Sequence, residues 1–421
     1  MPDKAFSVSS KNIIFLVVIA ALGYFVDIYD LVVFSVIRIK SLHDIGVPDV
    51  DNQSAGVYVI NMQMFGLLLG GILWGIIGDK FGRIRVLFGS ILLYSIANIA
   101  NGFANDLNTY AIIRLIAGIG LAGELGAGIT LVSETMSKEN RGYGTMLVAV
   151  IGLFGAVAAA QVGKYDWRTA YYVGGGLGLV LLLLRVGTFE SGMYKNMAGT
   201  EKVSMGNFFM LFTNGKRFLK YLYCILIGAP LWYVVGILVT RSKEFGQALG
   251  ATELLSPGTG IMYSYIGIAI GDLFAGLLAQ ITKSRKLTML IFLILSLISV
   301  VCYLSSRGLT ATHFIWLCFF MGFSVGYWAT FVTIASEQFG TNIRSTVTTT
   351  VPNFVRGALI PINLLFDVFA KHYGMVKSGF IMMGLLTVIA MFSLSQLKES
   401  FGKDLDYVET DDYLPEVNQL S

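Results

Sequence analysis

Long apolar runs separated by short polar breaks fill the chain. They fall at roughly 13–38, 54–78, 86–104, 107–134, 143–163, 168–188, 217–242, 256–282, 285–306, 310–337, 344–370 and 376–398. A run of about 20 apolar residues crosses a bilayer as a helix, and in lipid only helices and closed barrels satisfy their own backbone. The pattern therefore predicts an all-α integral membrane protein with twelve transmembrane helices. The first run is too long for a signal-peptide core and no small-residue cleavage site follows it, so it reads as a retained span.

The longest polar interruption divides the spans six and six. This predicts an N-terminal six-helix half over 1–188, a cytoplasmic linker over 189–216, a C-terminal half over 217–398 and a tail over 399–421. The halves carry a repeat. "SETMSKENRG" closes the fourth span and "SEQFGTNIRS" the tenth, and in each an arginine follows the glutamate by seven residues. Such a repeat at matching places predicts two halves related by pseudo-two-fold symmetry about an axis along the membrane normal.

Composition agrees: 55% hydrophobic and 13% charged residues leave too little polar cover for a soluble domain. With the N-terminus inside, the inner loops, tails and span ends hold 19 basic residues and the outer side 9. That asymmetry places both termini in the cytoplasm. The net charge of +4 is scattered and gives no nucleic-acid footprint. Cys224, Cys302 and Cys318 lie in apolar runs, the three histidines lie near span ends, and no metal-binding or catalytic constellation appears. No enzyme activity, metal or cofactor is expected.

"GIIGDKFGRIR" (75–85) stands where the second helix leaves the membrane. Gly75 permits close helix packing, Gly82 a tight turn, and Asp79 can face a helix N-terminus or an arginine. Gly75, Asp79, Lys80, Gly82, Arg83 and Arg85 match the signature loop of the major facilitator superfamily, which the whole chain resembles. The resemblance implies a cytoplasmic charge network of Asp79, Arg83, Glu134 and Arg141 that latches the outward-open state. Glu337 and Arg344 are its repeat counterparts. "GLLAQITKSRK" from Gly276 puts Gln280 near the expected aspartate, so no symmetric latch is expected there.

Gly118, Gly120 and Gly123 spell GxGxxG, but within an apolar span they serve close helix packing rather than a dinucleotide. Together with Arg114, Glu124, "DWR" (166–168) and "FES" (189–191), they are similar to the sugar-porter and metabolite:proton symporter branches. Asp27 and Asp30 point toward the latter. The resemblance implies a monomer in the inner (plasma) membrane bilayer that imports a small carboxylate-bearing anion or zwitterion with protons as coupling ion, by alternating access. A proton-driven exporter of a metabolite, siderophore or drug and a transporter-like sensor are the rival readings.

Charges within spans cost several kcal/mol unless paired or hydrated. Asp27 and Asp30 are three apart in "YFVDIYDLVVF", hence on one helical face. By helical rise, Asp30 lies about 25 Å and Arg114 about 30 Å from the inner ends of their helices. They are expected to meet, so that protonation of Asp27 or Asp30, with Asp30 favoured by its depth, frees Arg114 for the substrate, or else to form a permanent packing pair. Glu124 is a second proton site, a cavity residue or a packing residue. Asp272 and Arg356 lie at similar depth and are expected to pair, with Arg356 either binding a substrate carboxylate or only neutralising Asp272. Asn61, Gln63, Gln161, Trp232, Tyr233, Trp328 and Asn353 complete the candidate cavity residues.

Overall fold

The computed structural model describes residues 10–48, 51–137, 140–186 and 206–409. Phe189–Ser191, most of the predicted linker and residues 410–421 lie outside them. Twelve helical spans are long and apolar enough to cross a membrane. The first six are α1 (Ser10–Asp44), α2 (Asn52–Phe81), α3 (Arg83–Asn101), α4 (Leu107–Thr135), α5 (Arg141–Val162) and α6 (Trp167–Leu184). The other six are α7 (Gly215–Val239), α8 (Pro257–Thr282), α9 (Arg285–Ser305), α10 (Ala311–Gln338), α11 (Arg344–Tyr373) and α12 (Met375–Gln396). No β-strand occurs among the described residues.

Helix starts follow local chemistry. The side chains of Asp106, Asp166, Ser256, Ser284 and Thr310 each accept a backbone N–H three residues on, capping α4, α6, α8, α9 and α10. Only Gly82, at φ 101°, separates α2 from α3, a conformation that glycine adopts without steric cost. α1 runs past its expected end at 38 because Ile37 and Leu42 pack with Tyr110, Trp167 and Tyr171. Phe65, Ile96, Phe320, Val388 and Phe392 stay exposed on regular spans, as a lipid-facing surface requires.

Three spans of the second half are interrupted, which their continuous hydropathy did not reveal. α7 breaks after Leu226, resumes at Ala229–Tyr233 and ends in a π-helical segment, Val234–Val239, with Gly228 and Pro230 at the joint. α10 breaks between Ser324 and Trp328, at Gly326. α11 breaks between Gly357 and Leu359, with Pro352 upstream. Proline and glycine free backbone groups that an unbroken helix would bond. Between the halves, α2 and α4 pack on α11, and α5 packs on α8 and α10.

Candidate functional site

The three breaks surround one chamber. Arg356 ends the first segment of α11, Trp328 begins the second segment of α10, and Trp232 lies in the short middle segment of α7. The Arg356 guanidinium stands 5.8 Å from the Trp232 ring and 5.5 Å from the Trp328 ring. Its Nη1 donates to Asn353 Oδ1 at 3.2 Å, and its Nη2 lies 3.9 Å from Asp27 Oδ2, across the junction of the halves. Arg356 Nε and Nη2, both Asp27 carboxylate oxygens and both indole N–H groups are buried without a hydrogen-bond partner among the described residues. Each such group costs about 1–3 kcal/mol, and buried polar groups are normally bonded. Arg356, Trp232 and Trp328 line a small void of about 20 Å³, with Asp27 beside Arg356 rather than on the wall, and such a cluster is a place built to receive polar atoms.

That void shares Trp232, Val235 and Tyr265 with a cavity of about 580 Å³. Asn61, Arg38, Arg241, Glu244 and Asp367 also line it, and it opens on the face opposite the termini. Asn61 thus stands on the cavity wall.

The expected Asp272–Arg356 pair does not form. Asp272 Oδ1 accepts the Ala329 backbone N–H at 2.9 Å, capping the restart of α10. Equal depth along two helices does not make them face each other, and Arg356 faces α1 instead.

Asp30 and Arg114 do meet. Arg114 Nη1 donates to Asp30 Oδ1 at 2.9 Å and Asn98 Oδ1 at 3.1 Å, and Nη2 donates to the Asp30 carbonyl at 3.0 Å. The guanidinium also lies over Tyr171 at 5.4 Å. This pair lies within the first half, lines neither cavity, and does not include Asp27. Glu124 lies off the cavity as well. Arg185 grips both its carboxylate oxygens, at 2.9 and 2.6 Å, and Ser90 donates to it at 2.8 Å. Of the alternatives for Glu124, this is the packing geometry. Arg185, counted from sequence as a span-end charge, is 1% exposed.

The remaining candidates separate clearly. Gln63 Nε2 reaches the Leu31 carbonyl at 3.5 Å. Asn353 Nδ2 bonds the Ala122 carbonyl of the other half at 3.0 Å. Gln161 is exposed and accepts from Lys164 at 2.7 Å, and the Tyr233 hydroxyl donates to the Gly379 carbonyl at 2.9 Å, so neither is a cavity residue.

At the terminal face the halves are latched. Asp79 accepts the Ser345 and Thr346 backbone N–H groups at 3.0 and 2.8 Å, capping α11 across the interface. A β-carbon on Gly75 would lie 2.8 Å from Thr346 Cα, so only glycine allows this approach. Arg83 lies 3.4 Å from Asp79 and 2.8 Å from Glu134. Glu134 also takes Arg344 at 2.9 Å, while Arg141 takes Glu337 at 2.9 Å. The two repeats thus exchange partners, each glutamate holding the other half's arginine, and Arg141 does not join Glu134. Lys80 and Arg85 are exposed at the rim.

The second-half loop from Gly276, where no symmetric latch was expected, contributes in its own way. Arg285 lies 3.3 Å from Glu337, and Gln280 sits against Gly142 at the start of α5, as Asp79 sits against α11. The tail adds a strap. Arg141 donates to the Lys403 carbonyl at 2.7 Å, Arg344 to the Leu405 carbonyl at 2.5 Å and Ser400 to Glu337 at 2.7 Å. Glu409 reaches Lys220 at 3.1 Å. Arg285, Arg185 and the strap escaped sequence reading; the only signal was that each charge needed a partner.

A twelve-span bundle of two halves, latched at one face and open at the other, is the architecture of a membrane transporter. The model of the Major Facilitator Superfamily matches residues 13–362, and the chain belongs to that family. A Bacillus subtilis protein assigned as a niacin/nicotinamide transporter is 24% identical, over 90% of this chain and 94% of its own. The Escherichia coli 3-(3-hydroxy-phenyl)propionate transporter is 28% identical, over 61% of this chain and 64% of its own. Among solved structures, the proton:xylose symporter XylE bound to 6-bromo-6-deoxy-D-glucose superposes with a TM-score of 0.76 at 16% identity, covering 95% and 98% of the two chains. That likeness shows the fold.

Proposed function

We propose that this protein imports a small organic acid with protons, and that Asp27 and Arg356 carry the coupling. The supporting observation is their unbonded approach between the two halves, flanked by Trp232 and Trp328. A guanidinium matches a carboxylate in two parallel bonds, and Arg356 has Nε and Nη2 to offer. The indole faces suit a flat, apolar body. Relatives named for niacin and a hydroxyphenylpropionate make an aromatic acid the favoured cargo.

With both termini cytoplasmic, the cavity faces outward. The substrate carboxylate takes Arg356, and Asp27, left without its cation, takes a proton from the outer solution. The site then carries no more charge than the empty one, so the halves close over it without burying an unpaired carboxylate. The outer mouth shuts while the Glu134–Arg344 and Glu337–Arg141 pairs part. On release inward, Asp27 gives up its proton and recovers Arg356. Each ligand thereby favours the other's binding.

The test is transport in proteoliposomes with a pH-sensitive dye inside, challenged with benzoate, nicotinate, 3-phenylpropionate and glycine betaine. Lumen acidification by an aromatic acid, lost in Arg356→Gln, supports the reading. Outward proton exchange would favour the exporter, and unchanged transport in Arg356→Gln would overturn the assignment of the site.

A further inference from the structure

We infer that Arg38 forms a second, vestibular anion site that captures the substrate carboxylate before it reaches Arg356. The inference deepens the proposed function and rests on it. Four charged side chains line the large cavity: Arg38, Arg241, Glu244 and Asp367. Arg241 is already held, by Asp367 on two contacts and by Asn363 Oδ1 at 2.8 Å. The Arg38 side chain makes no hydrogen bond or ion pair among the described residues, and its Nε is buried without a partner. Glu244, on the wall of the same cavity, acts on it by charge but without an ion-pair contact, so Arg38 is the cation of this vestibule that no carboxylate holds directly.

The geometry aims it. Arg38 lies eleven residues beyond Asp27 on α1, which is about 16 Å nearer the mouth at 1.5 Å per residue. Its stem lies flat on α2 over Gly56: a β-carbon there would meet Arg38 Cδ at 2.5 Å, Cγ at 3.2 Å and Nε at 3.3 Å. Gly56 is a cradle that holds the half-buried arginine toward the cavity rather than outward to lipid headgroups. A half-desolvated cation at the mouth of a low-dielectric funnel raises the local concentration of anions. Trp232, Val235 and Tyr265 then form a continuous wall from this vestibule to Arg356. The residue thus sets capture, and Arg356 sets coupling.

The test uses the full chain and the same four probes. Uptake is measured against concentration and ionic strength for wild type, Arg38→Gln, Arg38→Lys and Gly56→Ala. Arg38→Gln should raise KM for the transported aromatic acid about 5- to 10-fold and flatten its salt dependence, with kcat nearly unchanged. Arg38→Lys should recover most of the loss. Gly56→Ala, which keeps the charge but displaces it, should shift KM in the same direction by less. As a second readout, calorimetric binding of benzoate to Arg356→Gln should be weak and should vanish when Arg38→Gln is added. An effect of Arg38→Gln on kcat alone, or none, would overturn the vestibular site, as would residual binding indifferent to Arg38. An Arg356→Gln protein that transports normally would instead sink the proposed function, so the two failures are distinct.

Discussion

Two acid–arginine pairs stand one helical turn apart on α1, both buried, and differ in how closely they are matched. Asp30 and Arg114 belong to one half, touch at 2.9 Å and share Asn98, leaving only Asp30 Oδ2 and Arg114 Nε without a partner among the described residues. Asp27 and Arg356 span the two halves, stand 3.9 Å apart and leave most of their polar atoms unmatched. The first arrangement is what a buried ion pair needs in order to persist. The second is what a pair needs in order to be exchanged. A group that has already satisfied its hydrogen bonds has little to gain from a ligand, so poor satisfaction in a buried site marks function better than charge does. The same contrast separates the latch, where every carboxylate named is multiply bonded, from the open chamber it supports.

The largest effects should come from the loose pair. Arg356→Gln is expected to lower kcat/KM for the transported acid by about 100-fold or more, because a bidentate charged contact and the neutralisation of Asp27 are lost together. Asp27→Asn should keep substrate exchange across the membrane while losing accumulation against a gradient, read by counterflow and by uphill uptake in the same vesicles. Breaking the tight pair should look different. Arg114→Gln strands Asp30 in the interior at a cost of about 3–5 kcal/mol, seen as a lower melting temperature and less folded protein rather than as selective uncoupling. If Asp30→Asn instead uncoupled a well-folded protein, the division of labour between the pairs would fail.

Smaller effects should follow from the closed face. Truncation after Phe401 removes the Lys403 and Leu405 carbonyls and Glu409 from Arg141, Arg344 and Lys220. It should raise the share of molecules open at the terminal face several-fold, measured by labelling of a cysteine placed at Thr130, which meets Thr348 at 2.6 Å in the closed seam. Least of all, Asp272→Asn should cost about 1 kcal/mol of stability through its cap on α10 and leave coupling intact.

Much of this was legible in the sequence. Hydropathy located the twelve spans, and the loop from Gly75 and the repeated Ser-Glu segments located the latch. Among the buried charges the Asp30–Arg114 pair was legible too, but the partners of Arg356, Arg141 and Arg185 were not. Helical rise fixes depth but not azimuth, so Arg356 was matched to Asp272 at equal depth although it faces Asp27 on α1. Arg141 was grouped with Glu134, its neighbour in sequence, although symmetry hands it Glu337. Arg185 resembled an ordinary span-end charge because nothing in its local sequence shows Glu124 waiting on α4. The breaks in α7, α10 and α11 were hidden because apolar residues flank the glycines and prolines that cause them.

The central claim is that Asp27 takes a proton when a substrate carboxylate takes Arg356. Proton uptake on binding can be measured directly, by titrating benzoate or nicotinate into the purified protein in buffers of different ionisation enthalpy. Wild type should take up about one proton per ligand, a difference in protons bound that linkage turns into pH-dependent affinity. Asp27→Asn should bind with none, and Asp30→Asn should retain it. Proton uptake that survives Asp27→Asn, or that disappears only with Asp30→Asn, would contradict the account and return the coupling role to the tight pair.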